Sequence, residues 1–143
     1  MNTLYTKMIE YYSGDPKRIQ HFTKVHSYVR LIGQLEHLSD DTQNILEIAA
    51  LVHDIGIKIS ELKYGNCNGK NQEKEGKAEA EKLLTELGYP QEVIERVSYL
   101  VGHHHSYDQI EGMDYQILVE ADFIVNMYED ACLLYTSDAA DDL

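Results

Sequence analysis

The residue pair His53-Asp54 constrains the fold of this 143-residue chain more than any other feature. The pair stands at the end of a strongly apolar run with helical spacing, LEIAALVHDIGIK. Burying an imidazole and a carboxylate in apolar surroundings without partners costs on the order of several kcal/mol. The helix that ends here therefore needs a partner for both groups inside the protein, and a metal ion is the simplest partner that satisfies both.

Six segments of the chain are predicted to be helical, most of them because apolar residues recur at helical spacing and 73–87 because it is rich in Ala, Glu, Lys and Leu. The segments are approximately 3–12, 16–36, 40–53, 73–87, 90–101 and 114 onward. Asp15 with Pro16, the Ser39–Asp41 cluster, and Gly88 with Pro90 are typical signals for the start or end of a helix. No strand pattern, internal repeat or domain boundary is evident. The sequence therefore predicts an all-α fold, a single bundle of about six helices.

Other ionisable residues also lie on predicted apolar helix faces. They are His26 on the second helix and Asp122 on the last, and the triple His103–His105 follows the fifth helix. Each has a structural alternative: a core histidine bonded to a carbonyl, a histidine–carboxylate hydrogen bond, or a carboxylate held by backbone donors or an arginine. One metal site explains His26, His53-Asp54 and Asp122 together, whereas the alternative for the histidine triple is a solvated polar helix end. His26, His53, Asp54 and Asp122 form a nitrogen and oxygen ligand set that suits Mn, Fe, Co, Mg or Zn.

The composition narrows the range of partners. The chain has 25 acidic and 12 basic residues and a net charge of −13, which argues against a nucleic-acid polymer or an anionic membrane as a partner. A small anionic substrate remains compatible, because a bound cation reverses the local field. No stretch approaches the roughly 18–20 apolar residues of a membrane span, and the N-terminus lacks a signal-peptide pattern. Seven histidines and two cysteines fit a cytoplasmic protein with nitrogen and oxygen ligands.

The ordered set His26, His53-Asp54 and Asp122 resembles the signature of the HD-domain superfamily of metal-dependent phosphohydrolases. The surrounding sequences agree with this resemblance: HFTKVHSYVRLI, AALVHDIGIK and ILVEADFIVNMYE. The resemblance implies that these four residues bind a divalent metal in an all-helical bundle.

Many members of this superfamily bind a second metal with extra histidines. One of these histidines usually stands four residues before a glycine, and here Gln72 holds that place before Gly76. Glutamine is a poor ligand for a transition metal, so the resemblance implies one metal more firmly than two. Glu73 or Glu75 is either a substitute ligand or an exposed charge at the start of a helix.

The resemblance implies hydrolysis of a phosphate ester or phosphoanhydride in a nucleotide or a small phosphorylated metabolite. Asp54 is expected to bind metal and to orient or deprotonate a water molecule. His103 or His104, with His105 as the alternative in register, is expected to protonate the leaving oxygen, to bind substrate phosphate or to bind a second ion. Lys58, one residue beyond the usual family lysine, is expected to contact a second phosphate or to lie free on the surface.

Other functions on the same scaffold stay open from the sequence. One is a non-catalytic sensor that binds a metal or a nucleotide, and another is an iron-dependent oxygenase, which usually needs two irons. The GYP signature of cyclic-dinucleotide phosphodiesterases is absent after the histidine triple, which argues against that subfamily. The loops predicted at Tyr64–Asn71 and Ser106–Met113 are expected to influence specificity.

The C-terminal segment is a separate matter. Residues 132–141 resemble the translation of a sequencing-library adapter, although an ordinary acidic, frayed terminus is the alternative. We therefore expect an HD-type domain over residues 1–131, a non-native tail over 132–143, and a natural protein that continues beyond Ala131.

Overall fold

The computed structural model describes the backbone of residues 1–66 and 68–141 and the side chains of residues 1–66 and 68–129. Within these residues the chain forms helices and no strand, which confirms the all-α prediction. The helices are α1 (Asn2–Tyr11), α2 (Pro16–Leu35), α3 (Asp40–Val52), α4 (Gly56–Tyr64), α5 (Gly69–Glu86), α6 (Gln91–Val101) and α7 (Met113–Asp141). None of the helices in the described part of the chain combines the length and apolar character needed to cross a bilayer.

Helix α3 lies at the centre of the bundle, where it contacts α1, α2, α6 and α7. Ser39 caps its start by accepting a hydrogen bond from the backbone N–H of Thr42, and acidic residues follow in the first turn, which favours the helix dipole. The second half of α3, from Ile48 to Val52, is fully buried. The apolar packing of α3 therefore carries the His53-Asp54 turn into the interior of the protein.

Helix α4 begins directly after this turn and was not among the six predicted segments. A Cβ atom added to Gly56, its first residue, would lie 2.2 Å from the backbone oxygen of Gln72 and 2.5 Å from the backbone nitrogen of Gly76. The backbones of α4 and α5 therefore cross in direct contact at two glycines. This crossing brings the first turn of α5 against Asp54.

The glycine crossing gives the first testable prediction. We expect Gly56→Ala to destabilise the protein by about 3 kcal/mol, the upper part of the usual range for overpacking, because backbone atoms cannot move aside as side chains do. Urea unfolding measures the change. Gly69→Ala is the matched control, because its added Cβ would lie 3.5 Å from the nearest atom, an ordinary contact. Equal stability of the two variants would contradict the close backbone contact between α4 and α5 at Gly56.

Helix α5 starts earlier than the sequence indicated, at Gly69 instead of residue 73. The side chain of Asn68 caps it by accepting a hydrogen bond from the backbone N–H of Asn71. The early start turns the end of the predicted Tyr64–Asn71 loop into helix. It also places Gln72 on the buried face of the first turn of α5.

The last helix, α7, begins at Met113 and supplies Asp122 from its buried face. The side chain of Asp114 in its first turn pairs with the guanidinium group of Arg96, which ties α7 to α6. Residues 142–143 and the side chains of 132–141 lie outside the described residues. The non-native origin of the tail therefore stays a prediction.

Candidate metal centre

Four buried side chains from three parts of the chain converge at one point. They are His21 of α2, His53 and Asp54 of the turn after α3, and Asp122 of α7. The Nε2 atom of His21 lies 3.0 Å from Asp122 Oδ1 and 3.1 Å from Asp54 Oδ2. The Nε2 atom of His53 lies 3.2 Å from Asp54 Oδ2, 3.3 Å from Asp122 Oδ1 and 3.3 Å from His21 Nε2. All four donor atoms therefore face a common centre.

The orientation of each imidazole is fixed by a partner of its Nδ1 atom, on the side of the ring that faces away from the centre. The Nδ1 atom of His53 lies 2.7 Å from the backbone oxygen of Ala50, and a carbonyl oxygen can only accept, so Nδ1 carries the proton. The Nδ1 atom of His21 lies 3.4 Å from the carboxylate of Glu129. Such partners behind a histidine are the usual support of a metal ligand. Each ring thus presents Nε2 to the centre.

The two carboxylates make this centre strongly attractive to positive charge. Burial disfavours the charged imidazole of His21, but its hydrogen bonds with Asp122 and Asp54 outweigh burial and raise its pKa to about 9. The pKa of His53 is also raised against burial, by the charges of Asp54 and Asp122. Burial opposes ionisation of Asp54 and Asp122 as well, yet the imidazoles, His53 first, lower both pKa values. Bound protons or a bound cation therefore stabilise the cluster.

The spacing of the donor atoms suits a divalent metal ion. Two ligands about 2.1 Å from one ion lie about 3.0 Å apart at a right angle and about 3.4 Å apart at the tetrahedral angle. The measured donor separations of 3.0–3.3 Å fall in this range. Two neutral imidazoles and two carboxylates also form the ligand set expected for a first-row metal or Mg²⁺. The residues therefore fit the metal that the sequence predicts.

The pH dependence of stability tests these electrostatics. Because the pKa of folded His21 is raised from 6.5 to about 9, its contribution is complete below pH 6.5 and is lost as the pH rises through about 9. That contribution is on the order of 3 kcal/mol. In protein treated with EDTA, we expect the melting temperature to fall by roughly 5 °C or more between pH 7 and pH 9.

Added Mn²⁺ is the control for this pH prediction. Added Mn²⁺ is expected to make the melting temperature less dependent on pH, because a metal replaces the protons of the cluster. A melting temperature that stays constant or rises over this window in EDTA would contradict the electrostatic account. Scanning calorimetry of the two preparations provides the measurement.

The structure corrects one predicted ligand: His21, and not His26, completes the cluster. Both histidines lie on α2, but five residues separate them, which turns their side chains about 140° apart around the helix. His26 faces α3, where its Nε2 atom lies 3.2 Å from Glu47 Oε1, and its ring meets Tyr5 edge-on. The prediction of His26 as a ligand is therefore wrong.

A sequence signal for His21 was present. His21 lies on the same helical stripe as Val25 and Val29, at spacings of four and eight residues, and both valines are fully buried. His26 shares a stripe with Phe22 and Val29, so periodicity made the two histidines look alike. What separates them is the partner helix, because His21 faces Asp122 of α7.

The range matched by a family model includes all four residues of the cluster. A model of the HD domain family matches residues 18–139. The chain belongs to the HD domain family. Members of this superfamily are generally metal-dependent phosphohydrolases. No curated protein and no solved structure matches the chain significantly, so the assignment rests on this match and on the buried cluster.

A second group of polar side chains adjoins the HD doublet. The other carboxylate oxygen of Asp54, Oδ1, lies 3.5 Å from Nε2 of His104. The Nδ1 atom of His104 lies 2.7 Å from the backbone oxygen of Val101 and therefore donates to it, so Nε2 is the ring nitrogen that faces Asp54. This buried nitrogen has no hydrogen-bond partner among the described residues. Of the three consecutive histidines, His104 thus faces the doublet most directly.

Gln72 lies on the buried face of α5 and contacts Asp54. Its Nε2 atom donates to Asp54 Oδ1 over 3.4 Å, and its Oε1 atom bonds to Nε2 of His105. Burial, together with the neighbouring His104, lowers the pKa of His105 to about 4, so this ring is neutral at pH 7. Gln72 therefore connects Asp54 to His105 by hydrogen bonds.

The two glutamates considered as substitute ligands have other partners. Glu73 accepts hydrogen bonds from the backbone N–H of His105 and the hydroxyl of Ser106. Glu75 pairs with Lys63 and accepts a hydrogen bond from Tyr64. Neither carboxylate joins the donor groups around Asp54 in the described part of the chain.

Two further predicted residues lie near the centre without joining it. The ring of His103 stacks on Tyr99 with 4.1 Å between ring centroids, and its Nδ1 atom donates to the backbone oxygen of Tyr99. His103 is thus held against α6, away from the group formed by Asp54, His104 and His105. Lys58 lines a cleft that His21 also lines, with its Nζ atom 3.3 Å from the backbone oxygen of Tyr11.

Proposed function

We propose that this HD domain hydrolyses a phosphate ester or phosphoanhydride in a small phosphorylated compound, using one divalent metal ion. The ion would be held by His21, His53, Asp54 and Asp122. The observation that carries the proposal is the convergence of these four buried residues, with each imidazole Nε2 atom 3.0–3.3 Å from both carboxylates. When bound, a divalent metal polarises the phosphate and lowers the pKa of a coordinated water.

Asp54 is the residue around which the proposed chemistry is arranged. Its Oδ2 atom faces the metal-binding donors, whereas its Oδ1 atom faces Gln72 and His104. The hydroxyl group of Tyr12 donates a hydrogen bond to the backbone oxygen of Asp54 over 2.6 Å, which holds the turn in place. Asp54 is therefore positioned to bind the metal with one oxygen and to orient a nearby water or proton donor with the other.

His104 is the proton-transfer residue of this proposal. Its Nδ1 proton is held by a backbone carbonyl, so any proton it exchanges passes through Nε2, which points to Asp54. General acid–base catalysis requires this reach to the reacting groups. His103 is not assigned this role, since its ring stacks on Tyr99 and it does not belong to the donor group of Asp54, His104 and His105.

The oxygenase alternative is disfavoured by Gln72. That chemistry usually needs two irons, and in the second donor group, Asp54, His104 and His105, the amide of Gln72 bonds to two of the members instead of a further histidine ligand. The sensor alternative shares the metal site with the hydrolase and differs only in turnover. An activity measurement therefore separates the two.

Phosphate release under defined metals tests the proposed function. The purified chain is stripped with EDTA, reloaded with Mn²⁺, Co²⁺, Mg²⁺ or Fe²⁺, and supplied with a panel of nucleotides and sugar phosphates. We expect release of inorganic phosphate with at least one metal and loss of release when EDTA is added. Metal binding without any release would identify a binding module, and oxygen uptake with Fe²⁺ would identify an oxygenase.

A further inference from the structure

A cleft of about 640 Å³ opens beside the metal centre. His21 lines it together with the α1–α2 turn, the start of α4 and part of α7. Tyr11, Tyr12 and Ile57 supply apolar surface in this cleft. A phosphorylated compound bound at His21 would therefore extend its carbon skeleton into this space.

The charge of the cleft differs in sign from that of the whole chain. The protein has a net charge of −13, yet four of its 12 basic residues line this one cleft, against three carboxylates. The basic residues are Lys17, Arg18, Lys24 and Lys58, and the carboxylates are Asp15, Glu61 and Glu129. A positive cleft on an acidic protein indicates an anionic ligand.

The carboxylates of the cleft neutralise few of these cations. Glu129 pairs with Lys24 and with His21, and Asp15 caps α2 through the backbone N–H of Arg18. Among the described side chains of residues 1–66 and 68–129, neither Arg18 nor Lys58 forms an ion pair with a carboxylate. Their charges are available to a ligand.

The two cations lie near the metal-binding residues along the chain. Arg18 precedes His21 by three residues on α2, and Lys58 follows Asp54 by four, so each lies about one helical turn from a metal-binding donor. The Nζ atom of Lys58 donates to the backbone oxygen of Tyr11, whose own hydroxyl donates to the backbone oxygen of Ile55 over 3.1 Å. These neutral partners orient Lys58 without neutralising it.

We propose that Arg18 and Lys58 form a second anion subsite, so that the substrate carries another anionic group, a phosphate or a carboxylate, besides the phosphate that is hydrolysed. This inference rests on the proposed function and specifies its substrate class. The guanidinium of Arg18 suits either anion because it can donate two parallel hydrogen bonds. The apolar part of the cleft accommodates the carbon skeleton between the two anions.

Binding of three phosphorylated six-carbon sugar derivatives tests the subsite without requiring turnover. The probes are fructose 6-phosphate, fructose 1,6-bisphosphate and 6-phosphogluconate, titrated calorimetrically into the Mn²⁺-loaded full chain. We expect at least one of the two compounds with a second anion to bind about 10- to 100-fold more tightly than fructose 6-phosphate, as charge-assisted hydrogen bonds imply. The tighter of the two identifies the second group as phosphate or carboxylate.

Substitutions test whether the proposed residues cause the tighter binding of probes with a second anion, called the preference below. Arg18→Gln is expected to reduce the preference to less than threefold, and Lys58→Gln to reduce it in the same direction. Lys82→Gln, which removes an exposed cation of α5, is expected to keep the preference. Circular dichroism confirms that each variant is folded before it is titrated.

Two results would overturn the subsite. They are equal affinity of the wild-type chain for all three probes, and an undiminished preference in both Arg18→Gln and Lys58→Gln. Phosphate release together with equal affinity for the three probes would contradict the subsite and support the proposed hydrolase. Tighter binding of a probe with a second anion, without phosphate release from any compound, would contradict the proposed hydrolase and support the anion subsite.

Discussion

Replacing Asp54 with alanine is expected to abolish both metal binding and phosphate release. Asp54 contacts His21 and His53 through one carboxylate oxygen, and Gln72 and His104 through the other. Loss of a supporting residue behind a metal ligand typically costs 10- to 100-fold in affinity, so loss of this direct ligand should cost more than about 100-fold. Activity should fall to the level of the EDTA-treated protein.

The Asp54→Ala experiment needs a control for stability and charge. Asp41→Ala removes an exposed carboxylate from the first turn of α3, at the end of the helix opposite the doublet. It should retain full metal content and activity. Bound metal is measured by elemental analysis after gel filtration, and folding by circular dichroism. Full metal content in folded Asp54→Ala would contradict the assignment of Asp54 as a ligand.

A pair of substitutions on α2 should separate His21 from His26. His21→Ala is expected to lower metal affinity more than about 100-fold and to remove phosphate release, because it deletes a donor that lies 3.0–3.1 Å from both carboxylates. His26→Ala is expected to retain metal and activity, because its ring contacts Glu47 and Tyr5 instead. Its cost should be limited to stability, about 1 kcal/mol.

This pair is informative because both variants make the same chemical change on one helix. Calorimetric titration of Mn²⁺ into each EDTA-treated variant gives the affinities, and urea unfolding gives the stabilities. If His26→Ala lost the metal and His21→Ala retained it, the geometry of the cluster would be wrong and the original sequence prediction would be right.

Much of the fold follows from local signals in the sequence. Asp15 caps α2 and Ser39 caps α3 as predicted, and periodicity, composition and end signals together located six of the helices. Helix α4 lacked such signals. It has no side-chain cap at its start, and Ile57 is the one large apolar side chain on its buried face among Gly56, Ile57 and Ser60. Its packing depends on the glycine crossing with α5, which is a tertiary feature.

The sequence predicted those site residues that the motif itself marks. It failed for the residues whose role depends on which helix packs against them in three dimensions. His53, Asp54 and Asp122 fall in the cluster as the pattern indicated. The choice between His21 and His26 depends on which helix packs on each face of α2, and helical spacing alone does not reveal this. The bonds of Gln72 to Asp54 and His105 likewise follow from the early start of α5 at an asparagine cap.

Anomalous diffraction from crystals of the Mn²⁺-loaded chain tests the central claim most directly. Data collected on either side of the manganese absorption edge locate bound metal independently of any assay. We predict one strong peak per chain, in ligand contact with His21, His53, Asp54 and Asp122. A peak at His26 and Glu47, or no peak among the four predicted ligands, would contradict the account.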